Sequence, residues 1–162
     1  MQSYALRYNE FMTEHIVKRH NKTLLLYHLV FPVKYRRKVF SDEVEKTLKA
    51  ICSEIETGYE LNFVEIGADE DHMHFLVQSV PSLSITRIVT IIKSITARGI
   101  FKAYPKIKKE KLWGGNFWTS GYYANTVGKQ NNEKTIQAYV QNQGKKYKKI
   151  YNSQLKLFEG LA

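Results

Sequence analysis

Thr23 to Phe31 forms a nearly continuous apolar run of branched and aromatic residues, as in a central strand buried on both faces. Pro32 ends the run, and a basic loop carrying Lys34, Arg36, Arg37 and Lys38 follows. The period then changes. Val44, Leu48, Ile51, Cys52 and Ile55 recur at helical spacing, with Ser41 placed to cap the helix and Gly58 to close it. Leu61 to Gly67 predicts a second strand, and Asp69-Glu70-Asp71 a tight turn into a third, Asp71 to Gln78. Side chains alternate faces along a strand, so Met73, Phe75 and Val77 point to a core while His72 and His74 share the opposite surface.

Ser82 or Ser84 caps a long helix whose stripe is Ile85, Ile88, Val89, Ile92 and Ile95. A lysine-rich loop (Lys106, Lys108, Lys109, Lys111) leads to Leu112-Trp113-Gly114-Gly115-Asn116, and Phe117 to Thr126 predicts a fourth strand rich in aromatics. A last helix starts at Asn131 or Asn132, runs to about Gln143 and ends at Gly144. The order β-α-β-β-α-β defines an α+β chain of the ferredoxin-like, split βαβ kind. Its antiparallel sheet carries both long helices on one face, with the C-terminal helix added. Residues 1–20 read as an arm or short helix outside the core, 21–144 as the domain, and 145–162 as a basic, solvated tail.

Charge narrows the partners. The 25 Lys and Arg against 15 acids give a formal +10 on 162 residues, which points to a polyanion, most simply nucleic acid. An anionic membrane surface is the rival, but no run approaches the roughly 20 apolar residues of a membrane span. The first ten residues also lack the apolar core of a signal peptide, so a cytoplasmic location is expected. The single Cys52 excludes an internal disulfide framework, lies on a helical apolar stripe and reads as a small core residue. A metal here must therefore be held by His, carboxylate or amide ligands.

Two imidazoles side by side on a rigid strand form a ready pair of ligands for a divalent metal. Two half-exposed strand histidines without a metal are equally compatible with His72-Met73-His74 alone. Tyr139 and Gln143 stand four residues apart and share a helical face. A tyrosine hydroxyl can be a covalent nucleophile, although its solution pKa of about 10 means that it needs help from a metal or a base. The amide of Gln143 offers a neutral oxygen near it; a packing aromatic with a solvated amide is the competing reading.

Taken together these residues resemble the small single-tyrosine HUH transposases of bacterial and archaeal insertion sequences, where U is a bulky hydrophobic residue. His72-Met73-His74 matches the HUH element, and Tyr139-Val140-Gln141-Asn142-Gln143 matches the tyrosine helix. Two further blocks agree, His28 to Arg37 and Leu112 to Tyr122, and the resemblance runs from about Thr23 to Gln143. It implies that His72, His74 and Gln143 bind Mg²⁺ or Mn²⁺ and that Tyr139 attacks a phosphodiester of single-stranded DNA. The implied product is a 5′-phosphotyrosine link and a free 3′-hydroxyl, with subterminal hairpins recognised at the element's ends. It also implies a homodimer in which the tyrosine helix can complete the partner's active site.

Lys34, Arg36, Arg37 and Lys38 are candidate phosphate contacts, and Trp113 and Trp118 candidate stacking platforms for unpaired bases. Alternation predicts that about half of the aromatics between Trp113 and Tyr123 face the core instead. His28, in an apolar strand, reads as a core histidine, and Asp71 as a turn residue able to orient an imidazole. Two alternatives stand beside the insertion-sequence reading. One is a domesticated nuclease of the REP-associated tyrosine class; the other is a non-catalytic ferredoxin-like nucleic-acid binder using aromatics on its open sheet face.

Overall fold

A computed structural model describes residues 15–127 and 148–152. The predicted tyrosine helix, with Tyr139 and Gln143, lies outside the described residues. Strands β1 (Ile16–Lys18) and β2 (Asn21–Thr23) make a small antiparallel hairpin where the sequence suggested an arm or short helix. Lys18 pairs with Glu60, which ties this hairpin to the turn after the first helix. The remaining strands form one antiparallel sheet: β3 (Leu25–Pro32), β4 (Asn62–Ala68), β5 (His72–Ser79), β6 (Tyr123–Thr126) and β7 (Lys148–Asn152), in the order β6-β3-β5-β4-β7. Its first four strands have the order of a split βαβ sheet, with β7 added at the β4 edge.

Helices α1 (Asp42–Gly58) and α2 (Ile85–Ala103) both begin as the sequence predicts. The Ser41 hydroxyl accepts from the Val44 amide at 3.3 Å, and Ser84 accepts from Arg87 at 3.1 Å. Asp42, Glu43 and Glu45 in the first turn of α1 complement its dipole. The two stripes pack on one sheet face. Val44, Leu48, Cys52 and Ile55 from α1 and Ile88, Val89, Ile92 and Ile100 from α2 enclose Leu29, Phe31, Met73, Phe75 and Val77. A bulge at Val64 shifts the β4–β5 register between Phe63 and Glu65, so that Phe63 and Ile66 also reach this core. The opposite face has its own small apolar cluster of Leu26, Val64 and Leu76.

Two boundaries differ from the sequence reading. The fourth strand is shorter than Phe117 to Thr126, beginning only at Tyr123. Between them the backbone bends around the Lys93 ammonium, which donates to the carbonyls of Thr119 and Gly121 at 2.8 Å each. Only the Val33–Trp118 bridge continues the pairing upstream. The second difference lies in the basic tail, where Lys148–Asn152 pairs antiparallel with β4. Lysine-rich sequence hides a strand because edge strands commonly carry lysine.

Candidate active site

The face of β5 away from the helices carries His72 and His74, as the alternation predicts. Met73, Phe75 and Val77 are buried on the other side. The two imidazole centroids lie 4.9 Å apart. Both rings are half-buried, and each is held from a second direction. His72 donates from Nδ1 to Asp71 Oδ1 at 2.7 Å, while its Nε2 sits 3.5 Å from Asp69 Oδ2. His74 Nδ1 lies 3.1 Å from His28 Nε2, with the two rings nearly parallel at 13° and 5.3 Å between centroids. Register explains the second contact. Val30 is opposite His74 and His28 opposite Leu76, so His28 shares a face with His74 one pleat along.

Burial sets the protonation states. Desolvation, reinforced by the neighbouring His28 and His72 rings, pushes His74 down to about 4. Desolvation also lowers His28. Both rings are then neutral at neutral pH, and the contact between them is a single N–H···N bond in which one ring donates. The hydrogen bond from His72 holds the Asp71 carboxyl below the usual carboxylate range, helped by the charge of Arg36.

Imidazoles with carboxylates close by are a donor set that suits a divalent ion. A metal-binding imidazole commonly has its other nitrogen bonded to a carboxylate or similar group. Asp71 stands at that nitrogen of His72, and His28 at that of His74. Among the described residues, no group of three His, Cys, Asp or Glu side chains forms a metal site by itself. The chemistry of the histidine pair fits the ion, and Gln143, the expected third ligand, lies outside the described residues.

The basic loop lies over the acidic turn that precedes β5. Arg36 Nε bonds Asp71 Oδ2 at 3.0 Å, and Lys38 Nζ reaches Glu70 Oε2 at 2.7 Å. Arg36 and Lys38, expected as phosphate contacts, are thus already engaged with acids. Among the described residues Lys34 and Arg37 pair with no acid. Backbone bonds fix the loop: Val33 N donates to Asp71 O and Lys34 N to Phe117 O, both at 2.8 Å.

The two tryptophans separate. Trp113 is 63% exposed, whereas Trp118 is only 6% exposed and belongs to the core. The Trp118 ring packs on Phe31, Phe40 and Phe117, and its Nε1 donates to Thr96 Oγ1 at 3.0 Å. Trp118 as a base-stacking residue is therefore corrected: its indole faces α2, not solvent. His28 is buried, as expected of a core histidine, and its contact with His74 is what sequence reasoning missed. The signal was present in its even spacing from Val30 and Pro32, but only the strand register brings it to His74.

A split βαβ sheet with a paired-histidine strand on its open face is the arrangement expected of an HUH-class transposase. The chain belongs to the family described as Transposase IS200 like, which matches residues 21–143. It is 40% identical over 119 residues to the ISDra2 transposase TnpA of Deinococcus radiodurans, covering 74% of this chain and 84% of the relative. Its identity to the transposase for insertion sequence element IS200 of Salmonella typhimurium is 29% over 124 residues, with coverage of 76% and 80%. Among solved structures, a candidate transposase from Deinococcus radiodurans R1 superposes with a TM-score of 0.64 at 35% identity, covering 79% of this chain and 97% of that one. The chain is accordingly a DNA-cleaving transposase of this family. Among the described residues no helix is long and apolar enough to cross a membrane.

Proposed function

We propose that this transposase cleaves and rejoins single-stranded DNA at insertion-sequence ends through a 5′-phosphotyrosine intermediate. The observation that carries the reading is the pair His72 and His74, side by side on one sheet face with their Nδ1 atoms engaged by Asp71 and His28. His72, His74 and Gln143 hold Mg²⁺ or Mn²⁺, which when bound offsets negative charge on the phosphoryl oxygens. Tyr139 supplies the nucleophile. Its Oη bonds to phosphorus and gives up its proton, the P–O3′ bond breaks, and O3′ takes up a proton in turn to leave a 3′-hydroxyl on the departing strand. Attack by a second strand's 3′-hydroxyl reverses the step and frees Tyr139. The bond count is unchanged in both directions, so no ATP is needed.

Lys34 and Arg37 contact phosphates of the bound strand, supported by their pairing with no acid among the described residues and by the +10 net charge. The protein acts as a homodimer on hairpin-bearing DNA in the cytoplasm, and the Tyr139 helix can serve either its own or the partner's histidine pair. The test is incubation of the purified chain with single-stranded hairpin DNA from the element's ends and Mn²⁺, followed by denaturing electrophoresis. A covalent adduct that disappears in Tyr139→Phe, and on removal of the metal with EDTA, is expected. Hairpin binding without any adduct across the correct terminal sequences overturns the reading.

A further inference from the structure

Two large aromatic rings lie against each other at the surface for no reason that core packing supplies. Tyr35 and Trp113 stack with centroids 5.7 Å apart and planes at 24°, yet they are 52% and 63% exposed. Burial normally accounts for aromatic clusters, and isolated exposed aromatics are ordinary. A stacked exposed pair is different, particularly when the backbone is forced to create it. Tyr35 and Arg36 both sit in the left-handed region, at φ of 59° and 53°, which bulky residues rarely occupy outside functional sites. On the other side of the pair, Gly114 and Gly115 take φ of 121° and 82°. This conformation is open to glycine and turns the chain so that Trp113 projects while Leu112 stays fully buried.

The platform is also anchored to the histidine pair. Arg36, next to Tyr35, bonds Asp71, which bonds His72. Val33 N donates to Asp71 O, and Lys34 N to Phe117 O, so the loop is pinned between the β4–β5 turn and the segment that follows Trp113. A cation flanks it: Lys34 Nζ lies 5.5 Å from the Tyr35 ring centroid.

We propose that Tyr35 and Trp113 form a base-stacking platform, on which an unpaired nucleobase of the DNA strand engaged at His72 and His74 adds a third layer. This rests on the single-strand reading above. Aromatic faces beside cationic side chains are what an unpaired, negatively charged strand recognises, and stacking tolerates any base because every base has a π-face. The platform thus positions the strand near the histidines, while specificity for the terminal sequence comes from elsewhere.

The chain has two tryptophans, and only Trp113 is exposed, so intrinsic fluorescence reports on the platform directly. Titration of the full chain with unlabelled dT20 is expected to quench its emission in the wild type and in Trp118→Phe, but not in Trp113→Phe. In parallel, anisotropy of fluorescein-labelled dT20 is expected to show at least about ten-fold weaker binding for Trp113→Ala and for Tyr35→Ala, in line with the loss of one stacked base. Trp113→Phe restores most of it. The slope of log K against log salt stays unchanged in these stacking variants, whereas Arg37→Ala lowers it by about one. Wild-type binding with Trp113→Ala and Tyr35→Ala both within two-fold would overturn the platform alone. So would loss of the dimer in those variants, which would identify the pair as a protein interface. Failure of the wild type to bind dT20 at all would overturn the single-strand reading, and the platform with it.

Discussion

Replacing His28 with phenylalanine isolates what the buried histidine contributes. The ring volume is kept in a site only 7% exposed, so no large cavity forms, and the 3.1 Å contact from His28 Nε2 to His74 Nδ1 is lost. Both rings are neutral at neutral pH because burial lowers their pKa values. If His74 Nδ1 donates the shared proton, its Nε2 lone pair is fixed toward the metal; without His28 the imidazole loses that constraint on its tautomer and orientation. Loss of such an orienting partner commonly weakens metal binding by about 10–100-fold, which corresponds to about 1.4–2.7 kcal/mol. Folding stability should fall modestly, by about 1 kcal/mol for each buried hydrogen bond lost. Calorimetric titration with Mn²⁺ reads the affinity, a thermal melt reads the fold, and ¹⁵N spectra of metal-free protein read the tautomer. The expected set is weaker Mn²⁺ binding, a near-normal melt, and a His74 signal that leaves the Nδ1–H form; His28→Gln, which keeps an acceptor, recovers part of the affinity. Unchanged Mn²⁺ affinity together with an unchanged tautomer in well-folded His28→Phe would refute the reasoning.

Trp118→Ala should cost about 3–5 kcal/mol because a buried indole and its bond to Thr96 are removed, as read by urea denaturation. Trp118→Phe should leave dT20 affinity within two-fold, and a large loss of affinity would contradict its placement in the core. Gly99→Ala puts a methyl group 2.5 Å from Ile51 Cδ1 where α1 meets α2. Overpacking of about 1–3 kcal/mol should outweigh a gain of about 1 kcal/mol in helix propensity, lowering Tm by a few degrees in a scanning melt, with a smaller drop when the same change is made in an Ile51→Val background, which lacks the clashing Cδ1. Stability in EDTA should also depend on pH. His74 titrates near 4 in the folded chain and near 6.5 unfolded, so the unfolded chain binds more protons between those values and stability declines as pH falls from 6.5 toward 4. After discounting for the ring's partial exposure, about 1–2 kcal/mol is expected, and His74→Asn should flatten that part of the profile.

Periodicity carries much of this molecule. The alternation that buries Met73, Phe75 and Val77 and presents His72 and His74 is visible in eight residues, and the stripes of α1 and α2 are equally direct. Local pattern fails where a partner is distant. Arg36 and Lys38 read as free phosphate contacts because Asp71 and Glu70, which engage them, are more than thirty positions away. Trp113 and Trp118 look alike in sequence, but the positive-φ glycines after Trp113 turn it outward, and the Val33 bridge turns Trp118 into the core. The fourth strand shortens because Lys93, on α2, draws the Thr119 and Gly121 carbonyls away from the ladder. The β7 strand is hidden by its lysines. Tyr139 and Gln143 rest on the resemblance of their motif and lie outside the described residues.

The central claim joins His72 and His74 to Tyr139 in one reaction on single-stranded DNA. Its most direct test is mass spectrometry of the adduct formed with a terminal hairpin oligonucleotide and Mn²⁺, digested to locate the modified peptide. The account predicts a 5′-phosphoryl oligonucleotide on Tyr139, formed by the wild type and absent from His72→Ala and His74→Ala although both still bind the hairpin. An adduct on another residue, or undiminished adduct in either histidine variant, would contradict it.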